Sequence, residues 1–190
     1  MDPVTLSTGR LLLRTVGPQD TDAVYAAAQD PDIQRWTAIP SPYRQEHARG
    51  FTEQVVPLGW AKESVFTFGV FLPGSGDLAG MLSLTPRGRG TTELGYWATR
   101  EHRGNGYTTE AVAAATRWGF THLRTDRVEW RAEVGNMASR AVAERAGFRL
   151  EGTLRSAIVH AGVRRDCWVG SLLPSDLGLP TPSAYLPAGA

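Results

Sequence analysis

The segment Arg103-Gly104-Asn105-Gly106-Tyr107-Thr108 follows an extended run and opens a helical one. At such a junction the first-turn N–H groups have no intrahelical partner and the helix dipole is positive, so the loop can hold an anion. The glycines would let a phosphate approach the main chain, or would simply relieve a tight turn, and the segment alone leaves both readings open. Two phosphate motifs are excluded. A dinucleotide fingerprint needs a third glycine where Thr109 stands and an early βαβ unit, and a P-loop needs a Gly-Lys-Ser/Thr triplet that the chain lacks.

The elements around this loop follow from periodicity and breakers. Leu11 to Leu13 reads as a first strand, and Asp20 or Thr21 caps a helix to about Gln29 that Asp30-Pro31 interrupts. His47, Phe51 and Val55 recur at fourfold spacing, which predicts a second helix over 44–56 that Pro57 stops. Val65 to Leu72, Leu78 to Thr85 and Thr91 to Ala98, separated by Gly-rich turns, predict an antiparallel meander. Gly104 to Phe120 is helical, Arg127 to Val134 is a strand, and Asn136 caps a helix ending at Gly147. A last hairpin spans Thr153 to Leu172 and turns at Ala161-Gly162. The order is β-αα-βββ-α-β-α-ββ, an α+β domain with a mainly antiparallel mixed sheet flanked by helices. We assign residues 1–176 to that one domain and 177–190, with Pro180, Pro182 and Pro187, to a tail without regular structure.

Composition narrows the function. The 190 residues are 42% hydrophobic, enough to bury a core. With 20 Lys+Arg against 19 Asp+Glu there is no charge excess to hold a nucleic acid by counterion release. Cys167 stands alone, which excludes an internal disulfide and a multi-cysteine zinc site and fits a reducing, cytoplasmic compartment. The first residues lack the basic and apolar regions of a leader, and no apolar run reaches the ~18 residues of a membrane helix.

Arg103, Gly106 and, with a departure, Thr108 meet the Arg/Gln-x-x-Gly-x-Gly/Ala acetyl-CoA motif of the GNAT N-acetyltransferase superfamily. From Leu6 to Leu177 the chain resembles the ribosomal-protein branch of that family. The resemblance is carried by Leu11-Leu12-Leu13-Arg14, Glu93-Leu94-Gly95-Tyr96-Trp97, the loop through Thr109-Glu110-Ala111, Asn136-Met137-Ala138-Ser139 and Ala146-Gly147-Phe148. It extends to Glu151-Gly152, Arg155 and Arg165-Asp166.

The resemblance implies a GNAT fold and acetyl-CoA as cosubstrate. Its pyrophosphate would rest on the amides of Gly104, Asn105, Gly106, Tyr107, Thr108 and Thr109, with Arg103 beside them. Its pantetheine arm would pair with backbone at Tyr96, Trp97 and Ala98, where two strands splay, and with Asn136, which would also serve as a helix cap. The amine would attack the thioester directly, with no metal and no covalent enzyme intermediate. Cys167 is then a core residue.

An α-amino group titrates near ~7.7–8.0 and a lysine near ~10.4, so the acceptor must lose a proton. Glu93 is the first candidate base, acting through water, with hairpin pairing as its alternative role; Glu133, Glu129 and His160 stand in reserve. Ser139 is the candidate to hydrogen bond to the departing sulfur. Trp36 and Tyr43, with Ile39 and Pro40, would form an aromatic wall for the acceptor, and Arg87 and Arg89 would meet an acidic one. The acceptor is a small-molecule amine or a protein N-terminus. An idle acyl-CoA-binding regulatory module and a transferase of longer acyl groups are the alternatives, and homodimerisation fits the branch.

Overall fold

The structure is a computed structural model that describes residues 1–188. Eight strands form one sheet: β1 Leu6–Ser7, β2 Leu12–Arg14, β3 Phe66–Phe71, β4 Leu78–Gly88, β5 Thr91–Ala98, β6 Arg127–Glu133, β7 Arg149–His160 and β8 Val163–Leu172. Their order is β1-β2-β3-β4-β5-β6-β8-β7. Every pair is antiparallel except β5 with β6, which the crossover helix α5 (Tyr107–His122) makes parallel.

The parallel pair is short. It runs from Thr91 opposite Arg127 to Leu94 opposite Trp130 and then ends. Beyond it β5 stays paired to β4 as far as Ala98, and β6 to β8 as far as Glu133. The sheet therefore opens between the two strands, and Gly95 to Ala98 have no strand partner on the side facing β6. This is the predicted splay.

Alternation along the strands sends Phe66, Phe68, Leu82, Leu84 and Leu94 toward α5, where Ala111 and Ala115 permit close approach. Trp118 of α5 meets Trp60, Phe66 and Phe68 with ring centroids 5.4–5.8 Å apart. Helix α6 (Met137–Arg145) starts where the Asn136 side chain accepts a hydrogen bond from the Ser139 N–H, and ends before Gly147, whose φ of +96° favours glycine.

Several boundaries differ from expectation, each for a local reason. Asp30-Pro31 begins a helix as well as ending one: α1 is Thr21–Ala27, and α2, Pro31–Trp36, is capped by the Asp30 carboxylate on the Asp32 N–H with proline in its first turn. Asp20 does not cap α1; its carboxylate accepts from the Gly17 N–H and pairs with Arg14 at 2.8 Å. Pro57 does not stop the second helical run. Helix α3 (Gln45–Gly50) passes through a π-helical turn at Phe51–Val55 into α4 (Val56–Ala61), and that widened turn puts Pro57 at the start of a new helix. Helix α5 starts at Tyr107 and not Gly104, because Gly104 and Gly106 both have positive φ. The strand expected at Leu11 to Leu13 is β2, Leu12–Arg14, and β1 precedes it, although Leu11 is still buried. In the predicted tail, the Ser183 N–H and hydroxyl both donate to Asp126.

Candidate active site

The opening between β5 and β6 is one flank of a cavity of about 1280 Å³. Its lining includes Tyr96, Trp97 and Ala98 from β5, Arg103 to Gly106 from the loop before α5, Tyr107 to Thr109 from the first turn of α5, Asn136 and Ser139 at the start of α6, and Trp36 and Tyr43 from the early helical region. Glu93, Glu133 and His160 line it too. The structure thus brings the expected catalytic, cofactor and aromatic residues to one cavity, and leaves Glu129, Pro40, Arg87 and Arg89 outside its lining.

At the loop, the backbone N–H groups of Gly104 through Thr109 donate to no acceptor among the described residues. Gly104 faces open space, and at Gly106 an added Cβ would lie 3.7 Å from Arg10. Unpartnered amides, two left-handed glycines and the N-terminus of a 16-residue helix form a cradle suited to a diphosphate. With the unpaired edge of β5 alongside, these features fit the phosphates and extended arm of an acyl-CoA.

Arg103 does not point its guanidinium into the cradle. It bridges Asp30 at 2.8 Å and Asp32 at 2.9 Å and reaches the Ala98 carbonyl, tying the loop to the first turn of α2. A second arginine, unforeseen from the sequence, holds the other side. Arg10 donates to the Asn105 carbonyl, pairs with Glu110 and stacks on Tyr107. Burial works to raise the Glu110 carboxyl, but hydrogen bonds from Thr8 and Arg10 and the Arg10 charge outweigh it and leave its pKa lowered.

The carboxylates near the opening differ in how far they are committed. Glu133 accepts both ends of the Arg35 guanidinium, at 2.6 and 3.0 Å, and that bonding holds its carboxyl below the usual range, helped by the charges of Arg35, Arg165 and His160 against the effect of burial. Glu129 is bound by Arg131 at 2.6 Å and Arg127 at 3.2 Å, and lies outside the cavity lining. Among the described residues Glu93 has a single partner, Arg87 Nε at 3.1 Å, and it keeps one-third of its side chain exposed. Arg87, expected to greet an acidic acceptor, is thus spent on Glu93.

Ser139 is half-buried within a hydrogen-bond chain. Its Oγ accepts from the Trp130 indole N–H at 3.0 Å and donates to Tyr96 Oη at 3.3 Å, while Tyr96 Oη donates to the Ser139 carbonyl at 2.6 Å. Burial pushes the Tyr96 phenol far above its ordinary value, so it stays protonated. Asn136 lines the cavity and spends its side-chain oxygen on the helix cap, while its amide N–H groups have no acceptor among the described residues. Cys167 is fully buried on β8, and burial pushes its thiol up, away from the thiolate a nucleophile needs.

Of the aromatic pair expected to wall the acceptor, Tyr43 is buried and Trp36 half-buried under the stacked Arg35 guanidinium, 4.1 Å from its ring centroid. Trp130, Arg35 and Arg10 were missed in the sequence. Strand alternation offered one signal: Trp130 falls on the face of β6 opposite Glu129, Arg131 and Glu133.

Comparison with known proteins gives a consistent picture. Residues 10–149 match the family described as Acetyltransferase (GNAT) domain. Over 171 residues the chain is 28% identical to "Uncharacterized N-acetyltransferase p20" of Bacillus licheniformis, covering 89% of this chain and 96% of that one. It is 39% identical over 100 residues to "Putative ribosomal N-acetyltransferase YdaF" of Bacillus subtilis, covering 52% and 55% of the two chains. A solved structure, "putative ribosomal-protein-serine acetyltransferase" from Vibrio cholerae, superposes with a TM-score of 0.80 at 27% identity, over 92% of this chain and all of that one.

Proposed function

Because the chain belongs to the GNAT acetyltransferase family, we propose that it moves the acetyl group of acetyl-CoA to a primary amine, a protein N-terminus or a small molecule, by direct attack in a ternary complex. The observation that carries this reading is the parting of β5 and β6 beside the unpartnered amides of Gly104 to Thr109. Those amides hold the pyrophosphate, and the free edge of Tyr96 to Ala98 aligns the pantetheine arm so that the thioester sits in the opening. Positioning of this kind turns a bimolecular attack into a nearly unimolecular one.

Glu93 takes the proton from the amine, through a water, since it is less tied by arginine than Glu133, the other glutamate of the cavity. Ser139 donates a hydrogen bond to the sulfur as the C–S bond breaks. Trp36 and Tyr43 wall the acceptor's path, and α2 carries the first of them. The names of two relatives, a ribosomal N-acetyltransferase and a ribosomal-protein-serine acetyltransferase, favour an amine on a ribosomal protein as acceptor.

The test is titration of the purified protein with acetyl-CoA, followed by thiol release and mass analysis of products against N-terminal peptides and small amines. One-site binding with amine-dependent thiol release and an acetylated product supports the reading. Thiol release without an acetylated amine, or no binding, refutes it.

A further inference from the structure

Trp130 is 3% exposed on β6, and its indole N–H donates to Ser139 Oγ at 3.0 Å. Indole nitrogen is a donor only, so the direction of this bond is fixed. It occupies a lone pair of the serine and turns the hydroxyl hydrogen away from the ring. That hydrogen is aimed at Tyr96 Oη over 3.3 Å, long against the usual 2.5–3.0 Å of an O–H···O bond. Tyr96 spends its own hydrogen on the Ser139 carbonyl. Ser139 therefore receives a good bond and gives a poor one that it can surrender, and accepting from the indole strengthens the hydroxyl as a donor.

We infer that Trp130 is a positioning residue that orients and polarises the Ser139 hydroxyl toward the thioester sulfur. The inference rests on the role proposed for Ser139. As the amine nitrogen bonds to the acetyl carbon, the C–S bond breaks and its electron pair goes to sulfur, where the Ser139 O–H hydrogen bond stabilises it. The proton that neutralises the thiolate is the one the amine gives up through the base. Ser139 keeps its own proton, and Trp130 touches none of the reacting atoms.

The experiment is a double-variant cycle of Trp130→Phe and Ser139→Ala, read as kcat and as KM for acetyl-CoA. Trp130→Phe removes the donor and keeps an aromatic ring in the pocket, and benzothienylalanine at the same position controls for the lost volume. Trp130→Phe is expected to lower kcat about three- to tenfold, the worth of one hydrogen bond, with KM changed by less than about twofold. The double variant should be no slower than Ser139→Ala alone, because the tryptophan acts through the serine. Additive losses, or an unchanged kcat in Trp130→Phe, overturn the inference while leaving the role of Ser139 standing. Wild-type turnover in Ser139→Ala overturns both. If Trp130→Phe unfolds, benzothienylalanine at position 130, which replaces the N–H with sulfur at nearly constant shape, completes the cycle with the same outcomes.

Discussion

Arg103 and Asp30 form an ion pair of 2.8 Å that joins the loop before α5 to the N-cap of α2. The second guanidinium nitrogen engages Asp32, and the helix so anchored ends in Trp36 on the cavity wall. At its other end α2 is held to β6 by Arg35 on Glu133. The proposed cofactor cradle and acceptor wall therefore share one brace across the opening. Arg103→Ala is expected to raise KM for the acceptor about three- to tenfold. The partly exposed pair contributes about 1 kcal/mol, and its loss should lower the unfolding temperature by about 2–4 °C. Initial rates with the acceptor varied at saturating acetyl-CoA, beside thermal unfolding, test this. A change confined to stability would mean that α2 does not depend on the brace.

Gly106→Glu places a negative charge and a side chain at a φ of +77° in the cradle. Strain and repulsion act together there. Acetyl-CoA affinity should fall at least about a hundredfold, a loss of about 2.7 kcal/mol, with the fold retained by circular dichroism. Isothermal titration reads this directly, and wild-type affinity would move the pyrophosphate elsewhere.

The sheet and the loop before α5 were legible in the sequence, the loop's capacity to hold an anion only as one of two readings. Strong turn residues separate the meander strands, and paired glycines mark the loop. The π-helical turn at Phe51–Val55 and the short α2 were not, because a proline both ends and begins helices and only the chain's path decides which. Site pairings were hidden for a different reason. Arg35 with Glu133, and Trp130 with Ser139, depend on which strand face and which helix end meet in space, so the types of these residues were readable and their partners were not.

Asp20 offers a pH test of stability. Burial tends to raise its carboxyl, but hydrogen bonds from Arg14 and the Gly17 N–H, with the Arg14 charge, bring its pKa below the ordinary value. A carboxyl depressed by folding stabilises above its unfolded value, and that stabilisation disappears as pH falls through its folded value. Asp20→Asn should therefore lower the unfolding temperature at pH 7 by about 3–6 °C, corresponding to ~1–2 kcal/mol. The gap to wild type should close as pH falls below about 4. Thermal unfolding from pH 3 to 7 checks the trend, and a gap independent of pH would show that the ion pair is not its source.

Glu93→Gln should lower kcat at least about tenfold with little effect on acetyl-CoA affinity. The deficit should be greatest near neutrality and narrow as pH approaches the amine's own pKa, where more acceptor arrives already neutral. Glu133→Gln, whose parent carboxylate is bound by Arg35, should show no such narrowing. Rate profiles of both variants decide it, and an equal deficit for Glu93→Gln at every pH would assign the base to another group.

Initial-rate kinetics with acetyl-CoA and an amine acceptor varied together test the central claim most directly. Direct attack in a ternary complex predicts reciprocal plots that intersect, and no acetyl group on Cys167 when the protein is incubated with acetyl-CoA alone. Parallel plots with an acetylated cysteine would contradict it and make the thiol an intermediate carrier.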